Sequence, residues 1–188
     1  MFFERFNNHI IEEFAIRTIA KSFDCKYKEF ILPCDKNNFD GISPDNCHAL
    51  EVTLVVNKNN LEGYTYEKLF AQGKRNLKIK HIKDAKLKPT GELLRWSGGT
   101  IQDLVGKIQN AIIKKDEKAR KRLKNHAYTS IDLCLCIDDG SLFDLYSFQI
   151  MDLDLKSTIF NNIFFITANV FVRFSKETGF EQYEKITT

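Results

Sequence analysis

Two acids in the stretch "DGISPDNCHALEVT", residues 40–53, stand where a carboxylate is hard to accommodate. Asp40 comes shortly after the apolar segment "EFIL", and Glu51 sits inside the apolar run "ALEVTLVV". A carboxylate turned toward a core must be paired or bound to a cation. Carboxylate oxygens are the ligands Mg²⁺ and Mn²⁺ prefer, so two acids brought together are candidate metal ligands. Each acid also has a plainer reading. Asp40 opens "DG", a common turn dipeptide, and Glu51 could lie on the solvent face of an edge strand. Asp45, in a turn after Pro44, is an alternative to Asp40. Thr53 shares the face of Glu51, because side chains alternate along a strand.

Other reactive residues argue against other chemistries. His9, His48, His81 and His126 show neither HExxH nor another ligand spacing, which speaks against a zinc hydrolase. Five cysteines without a CxxC pair suggest neither a disulfide framework nor a zinc site. "WSGGT" lacks the lysine and spacing of a phosphate-binding P-loop, and Trp96 reads as packed rather than base-stacking. Net charge is only +3, but it is unevenly placed: Lys74 to Lys88 holds seven Lys/Arg against one Asp, and Lys114 to Lys124 seven against two acids. Two such blocks make a positive surface for which nucleic acid is a natural partner; a solvated lysine-rich face is the alternative.

The elements that must position these residues follow from periodicity. Phe6, Ile10, Ile11, Phe14 and Ile19 predict a helix through about Phe23. A strand is expected at about Lys28 to Leu32, ended by Pro33. A short strand at Phe39 to Ile42 then forms a hairpin with Ala49 to Val56. Residues 57–99 carry a short helix at about Tyr66 to Gln72 and an alternating segment "LKIKHI". Thr100 is a good N-cap for the clearest helix, whose stripe of Ile101, Leu104, Val105, Ile108, Ile112, Ala119 and Leu123 runs to about Lys124. "IDLCLCI" is the near-continuous apolar run of a central parallel strand. A helix at about Ser141 to Gln149 and the strands of "NIFFITANVFVRF" complete the chain.

With 188 residues, 43% hydrophobic and 28% charged, a single α/β or α+β domain is the expectation. No run approaches the ~18 apolar residues of a membrane span, and "MFFERFNNHIIEE" lacks a signal-peptide core, so a cytoplasmic location is expected.

In this order the residues resemble the PD-(D/E)XK nuclease superfamily, the restriction-endonuclease-like α/β fold, whose mixed central sheet is flanked by helices. Its core is a helix, a three-strand meander and a crossover helix leading to a further strand. The resemblance spans most of the chain as one domain, 1–188, with an insertion at about 57–99. It implies that Asp40 in "FDG" is the first metal-binding acid and Glu51 in "LEVT" the second, with the Val52 carbonyl as a third oxygen and Glu12 or Glu13 assisting from the first helix. The implied activity is Mg²⁺- or Mn²⁺-dependent hydrolysis of phosphodiester bonds, in DNA above other nucleic acids. Lys115 and Lys118 of the crossover helix, with Lys78 and Lys80 of the insertion, would hold phosphates. Many family members act as homodimers. The family's motif lysine, two residues after the second acid, is Thr53 here, so a catalytic lysine would come from Lys58 or from the helix, as Lys114 or Lys115. The same replacement keeps open an inactive nucleic-acid-binding or protein-interaction module on this fold.

Overall fold

The computed structural model describes residues 8–23, 25–33, 35, 38–55, 101–124, 127–137, 153–167 and 171–183. The elements expected at Tyr66 to Gln72 and Ser141 to Gln149, along with Lys58, Lys78, Lys80 and Trp96, lie outside these residues.

The described chain is an α/β structure in three layers. Helix α1 spans Asn8–Ser22, and a 3-10 helix follows at Cys25–Glu29. Strands β1 (Gly41–Ile42) and β2 (His48–Val55) come next, then helix α2 (Ile101–Arg122). Strands β3 (Ser130–Ile137), β4 (Asn162–Ile166), β5 (Phe171–Ser175) and β6 (Gly179–Tyr183) complete the described elements. The six strands form one mixed sheet in the order β1 to β6. β2 and β3 run parallel over their full eight residues, β3 and β4 are also parallel, and the outer pairs are antiparallel. A parallel pair requires a crossover, and α2 provides it between β2 and β3.

Alternation along the strands divides the core in two. Ala49 and Val55 of β2, with Ile131, Leu133, Leu135 and Ile137 of β3, pack on the face under Leu104, Ile108, Ile112 and Ala119 of α2. Leu50, Val52, Cys134 and Cys136 pack on the other face, under Ile11, Ala15, Ile16 and Ile19 of α1. The near-unbroken apolar run of β3 is thus a strand covered on both sides, as expected. Glu51, by parity, belongs to the α2 face.

One expectation is corrected. Lys28 to Leu32 is not a strand; only Ile31 bridges to Ile42. Tyr27 and Phe30 explain this, because residues three apart eclipse in a 3-10 turn, and both side chains are buried with their rings 4.8 Å apart. A strand would have sent them to opposite faces. Ile10, placed in the α1 stripe from the sequence, is 42% exposed; Ile11 takes the buried position. Gly41 lets α1 close on the hairpin, since a Cβ there would stand 3.0 Å from Ile16 Cδ1 and 3.4 Å from Phe30 Cδ2. Among the described residues no helix is long and apolar enough to cross a membrane.

Candidate functional site

The β1–β2 hairpin determines which acid is available. Its turn includes Asn46 at φ 55°, and Asp45 closes it by accepting from the Cys47 amide at 3.0 Å and from the Ser43 hydroxyl. Those two hydrogen bonds, Ser43 first, hold the Asp45 carboxyl below its usual range. Asp45 is therefore occupied in the turn. Asp40 instead reaches across to β2, where its Oδ2 accepts the Val52 amide at 2.7 Å.

Three oxygens then converge on one amino group. Lys115 Nζ donates to Glu51 Oε2 at 2.5 Å, to the Val52 carbonyl at 2.7 Å and to Asp40 Oδ2 at 3.4 Å. Glu51 is fully buried, while Asp40 and Lys115 keep about a sixth of their side-chain surface. Arg122 donates to the other oxygen of Glu51, Oε1, and its guanidinium lies 5.5 Å from the centre of the Phe39 ring. Lys118 Nζ stands 4.0 Å from Glu51 Oε2. The acids that the sequence left unexplained are thus compensated by Lys115 and Arg122, as a buried carboxylate requires.

The geometry of α2 brings these bases inward. Leu104, Ile108, Ile112, Lys115, Ala119 and Arg122 recur at spacings of four, four, three, four and three, a single stripe that is apolar first and cationic at the end. Asp116, next to Lys115, fixes the helix against the chain before β4. Its Oδ1 accepts the Ile159 amide at 2.6 Å, and its Oδ2 pairs with Arg120 Nε at 2.6 Å.

Two cavities open beside the acids and share Thr53, Leu54, Lys115 and Lys118. One, of about 340 Å³, is walled by α1 and includes Glu12 and Asp40. The other, of about 500 Å³, runs along α2 past Lys107, Asn110 and Lys114. Burial first, then the charge of Asp40, pushes the Glu12 carboxyl up. Burial, then Lys115, pulls the Lys118 ammonium down. Burial also lowers the Arg122 guanidinium, against the opposing pull of Asp40.

Of the residues expected at the site, Asp40, Glu51, the Val52 carbonyl, Glu12, Thr53 and Lys118 are gathered here. Glu13 is not: it pairs with Arg17 one turn along α1, on a more exposed face. Of the lysines expected as catalytic candidates, Lys114 is exposed on the wall of the larger cavity, and the amino group among the acids belongs to Lys115. Arg122 was not singled out from the sequence, although it lies seven residues, two helical turns, beyond Lys115. A second buried acid was also missed. Asp132, fully buried inside the apolar run of β3, lies on the opposite face of the sheet from Glu51. It accepts from the Tyr27 hydroxyl, and from the Asn162 amide and side chain at 2.9 Å each.

No known protein family, curated protein or solved structure matches the chain.

Proposed function

We propose that the protein is a Mg²⁺- or Mn²⁺-dependent nuclease acting on DNA, built on a restriction-endonuclease-like core. The observation that carries this reading is the convergence of the Asp40 carboxylate, the Glu51 carboxylate and the Val52 carbonyl on a single cationic centre at the mouth of a lysine-lined groove. The element order supports it: a helix, a hairpin that carries both acids, a crossover helix and a strand parallel to the acid-bearing one.

The donor set suits a hard divalent cation, which takes oxygen ligands and completes its shell with water and phosphate. Among the described residues no three His, Cys, Asp or Glu side chains form a metal cage, so the holders would be these two carboxylates and the carbonyl. When bound, such an ion supplies Lewis-acid polarisation of a phosphoryl oxygen and a water of lowered pKa.

The chain's own residues account for the rest. Arg122 holds Glu51 Oε1 and so fixes the carboxylate's rotation, leaving Oε2 toward the mouth. Asp40 is oriented by the Val52 amide. Lys115 is the cation nearest the reacting phosphate and takes the charge-stabilising role that Thr53 cannot, while Lys118, Lys114 and Lys107 hold the flanking backbone. Glu12, whose carboxyl burial pushes up from its usual range, stands at the same mouth, within reach of a group leaving from a phosphate seated there.

One observation favours a second reading, a binding module without catalysis: the acids already have their counter-charges in Lys115 and Arg122. Incubating the purified protein with single- and double-stranded DNA in Mn²⁺, Mg²⁺ or EDTA separates the two. Cleavage that requires the metal supports the nuclease. Binding without cleavage under every metal condition overturns it in favour of the module.

A further inference from the structure

Lys115 holds the position that a divalent cation would need. Its ammonium touches all three candidate ligand oxygens, and a dication and an ammonium cannot share that space without strong repulsion. Lys115 also lies on the boundary between the two cavities, lining both. The larger cavity is lined by Lys107, Lys114 and Lys118 and, among its described lining residues, by no Asp or Glu. A phosphate seated there would reverse the balance, since it offers anionic oxygens on that side.

We propose that Lys115 is an exchangeable plug. Its ammonium occupies the acid site until a phosphodiester backbone seats in the groove along α2, and the lysine then turns to the phosphate and leaves Asp40, Glu51 and the Val52 carbonyl to the metal. The inference rests on the nuclease reading and adds an order to it, in which substrate opens the metal site. Several features of the structure suit such an exchange. The lysine stem is long and unbranched, so its head can move while the helix stays still. Arg122 stays on Glu51 Oε1 and Lys118 stays near Oε2, so Glu51 is not left uncompensated during the exchange. Asp116 anchors the helix on its neighbouring face, which confines the movement to the side chain.

By linkage, if the polyanion tightens metal binding by some factor, the metal tightens polyanion binding by the same factor. The test is a titration of the full chain with Mn²⁺, reading free Mn²⁺ by electron paramagnetic resonance, with no turnover involved. A short phosphorothioate DNA strand serves as the polyanion. In the wild type the strand should tighten Mn²⁺ binding by about tenfold, within the usual range of coupled sites. Lys115→Gln should bind Mn²⁺ about tenfold tighter without the strand and lose most of the strand's effect. Lys115→Arg, which keeps the charge, should remain weak. Equal Mn²⁺ affinity in wild type and folded Lys115→Gln, or no effect of the strand on the wild type, would overturn the exchange. If in that case Glu51→Gln still abolishes Mn²⁺ binding, the metal site stands and only the plug is lost. If no variant binds Mn²⁺, the nuclease reading fails along with the plug.

Discussion

Lys115 and Arg122 divide the two oxygens of Glu51 between them, and this division makes a buried carboxylate tolerable. Removing one base leaves part of a buried charge uncompensated, a change that typically costs roughly 3–5 kcal/mol. Arg122→Met should fall at the lower end of that range, because Lys115 and Lys118 remain beside Glu51; urea denaturation measures it. Unchanged stability would mean that Glu51 is not held as described. The acids themselves were legible in the sequence, since a glutamate within "ALEVTLVV" is conspicuous. Their partners were harder to see because a C-terminal block of Lys and Arg also suits a helix dipole and a solvated face. Counting the inward stripe past Ile112 would have shown that residues 115 and 122 fall on it. Spacing alone did not separate Asp45 from Asp40; the hydrogen bonds engage Asp45 in the turn and hold Asp40 against the Val52 amide.

At the scale of elements, Asp132 ties the first residues of β3 and β4 to the 3-10 helix through Asn162 and Tyr27. Burial outweighs these hydrogen bonds and pushes its carboxyl above the usual range. A raised carboxyl pKa means that the folded state holds the proton more tightly than the unfolded chain. The associated stability is full below the unfolded value and is lost as pH rises through the folded one. Asp132→Asn mimics the protonated form, since its amide can donate to Tyr27 while its oxygen accepts from Asn162. The variant should therefore gain stability relative to wild type as pH is raised from 4 to 8. Parallel pH profiles, measured by denaturation, would contradict this account. The crossover helix and the doubly covered strand were readable from periodicity because both patterns are long. The 3-10 turn was not, because five residues carry too little pattern to separate a period of three from a period of two. The spacing of Tyr27 and Phe30 was the available signal.

At the scale of the molecule, net charge is only +3, yet among the described residues Lys107, Lys114, Lys115 and Lys118 line one groove. From Lys107 to Lys118 the helix rises about 16 Å, the axial length of four to five nucleotides at about 3.4 Å each. A backbone lying there would be held mainly by charge, so its affinity should fall steeply with salt. Each lost phosphate contact reduces the slope of log affinity against log salt by about 0.7 on single strands and 0.9 on duplex. Lys107→Gln combined with Lys114→Gln should lower the slope by about 1.4 or 1.8 accordingly, while leaving Mn²⁺ binding at the acids unchanged. Fluorescence anisotropy of a labelled oligonucleotide across a salt series measures it; an unaltered slope would place the nucleic acid elsewhere.

The central claim is that Glu51, fully buried on β2 and held by two bases, belongs to a hydrolytic metal site. The most direct measurement compares wild type with Glu51→Gln, a change that keeps the shape and removes the charge, in Mn²⁺-dependent cleavage of a labelled DNA strand at equal folded concentration. The account predicts metal-dependent cutting by the wild type and a loss of at least about 10²-fold in the variant, the scale of removing a group that acts in the transition state. Equal cleavage by the two proteins, or a folded wild type that binds the strand and never cuts it, would contradict the claim.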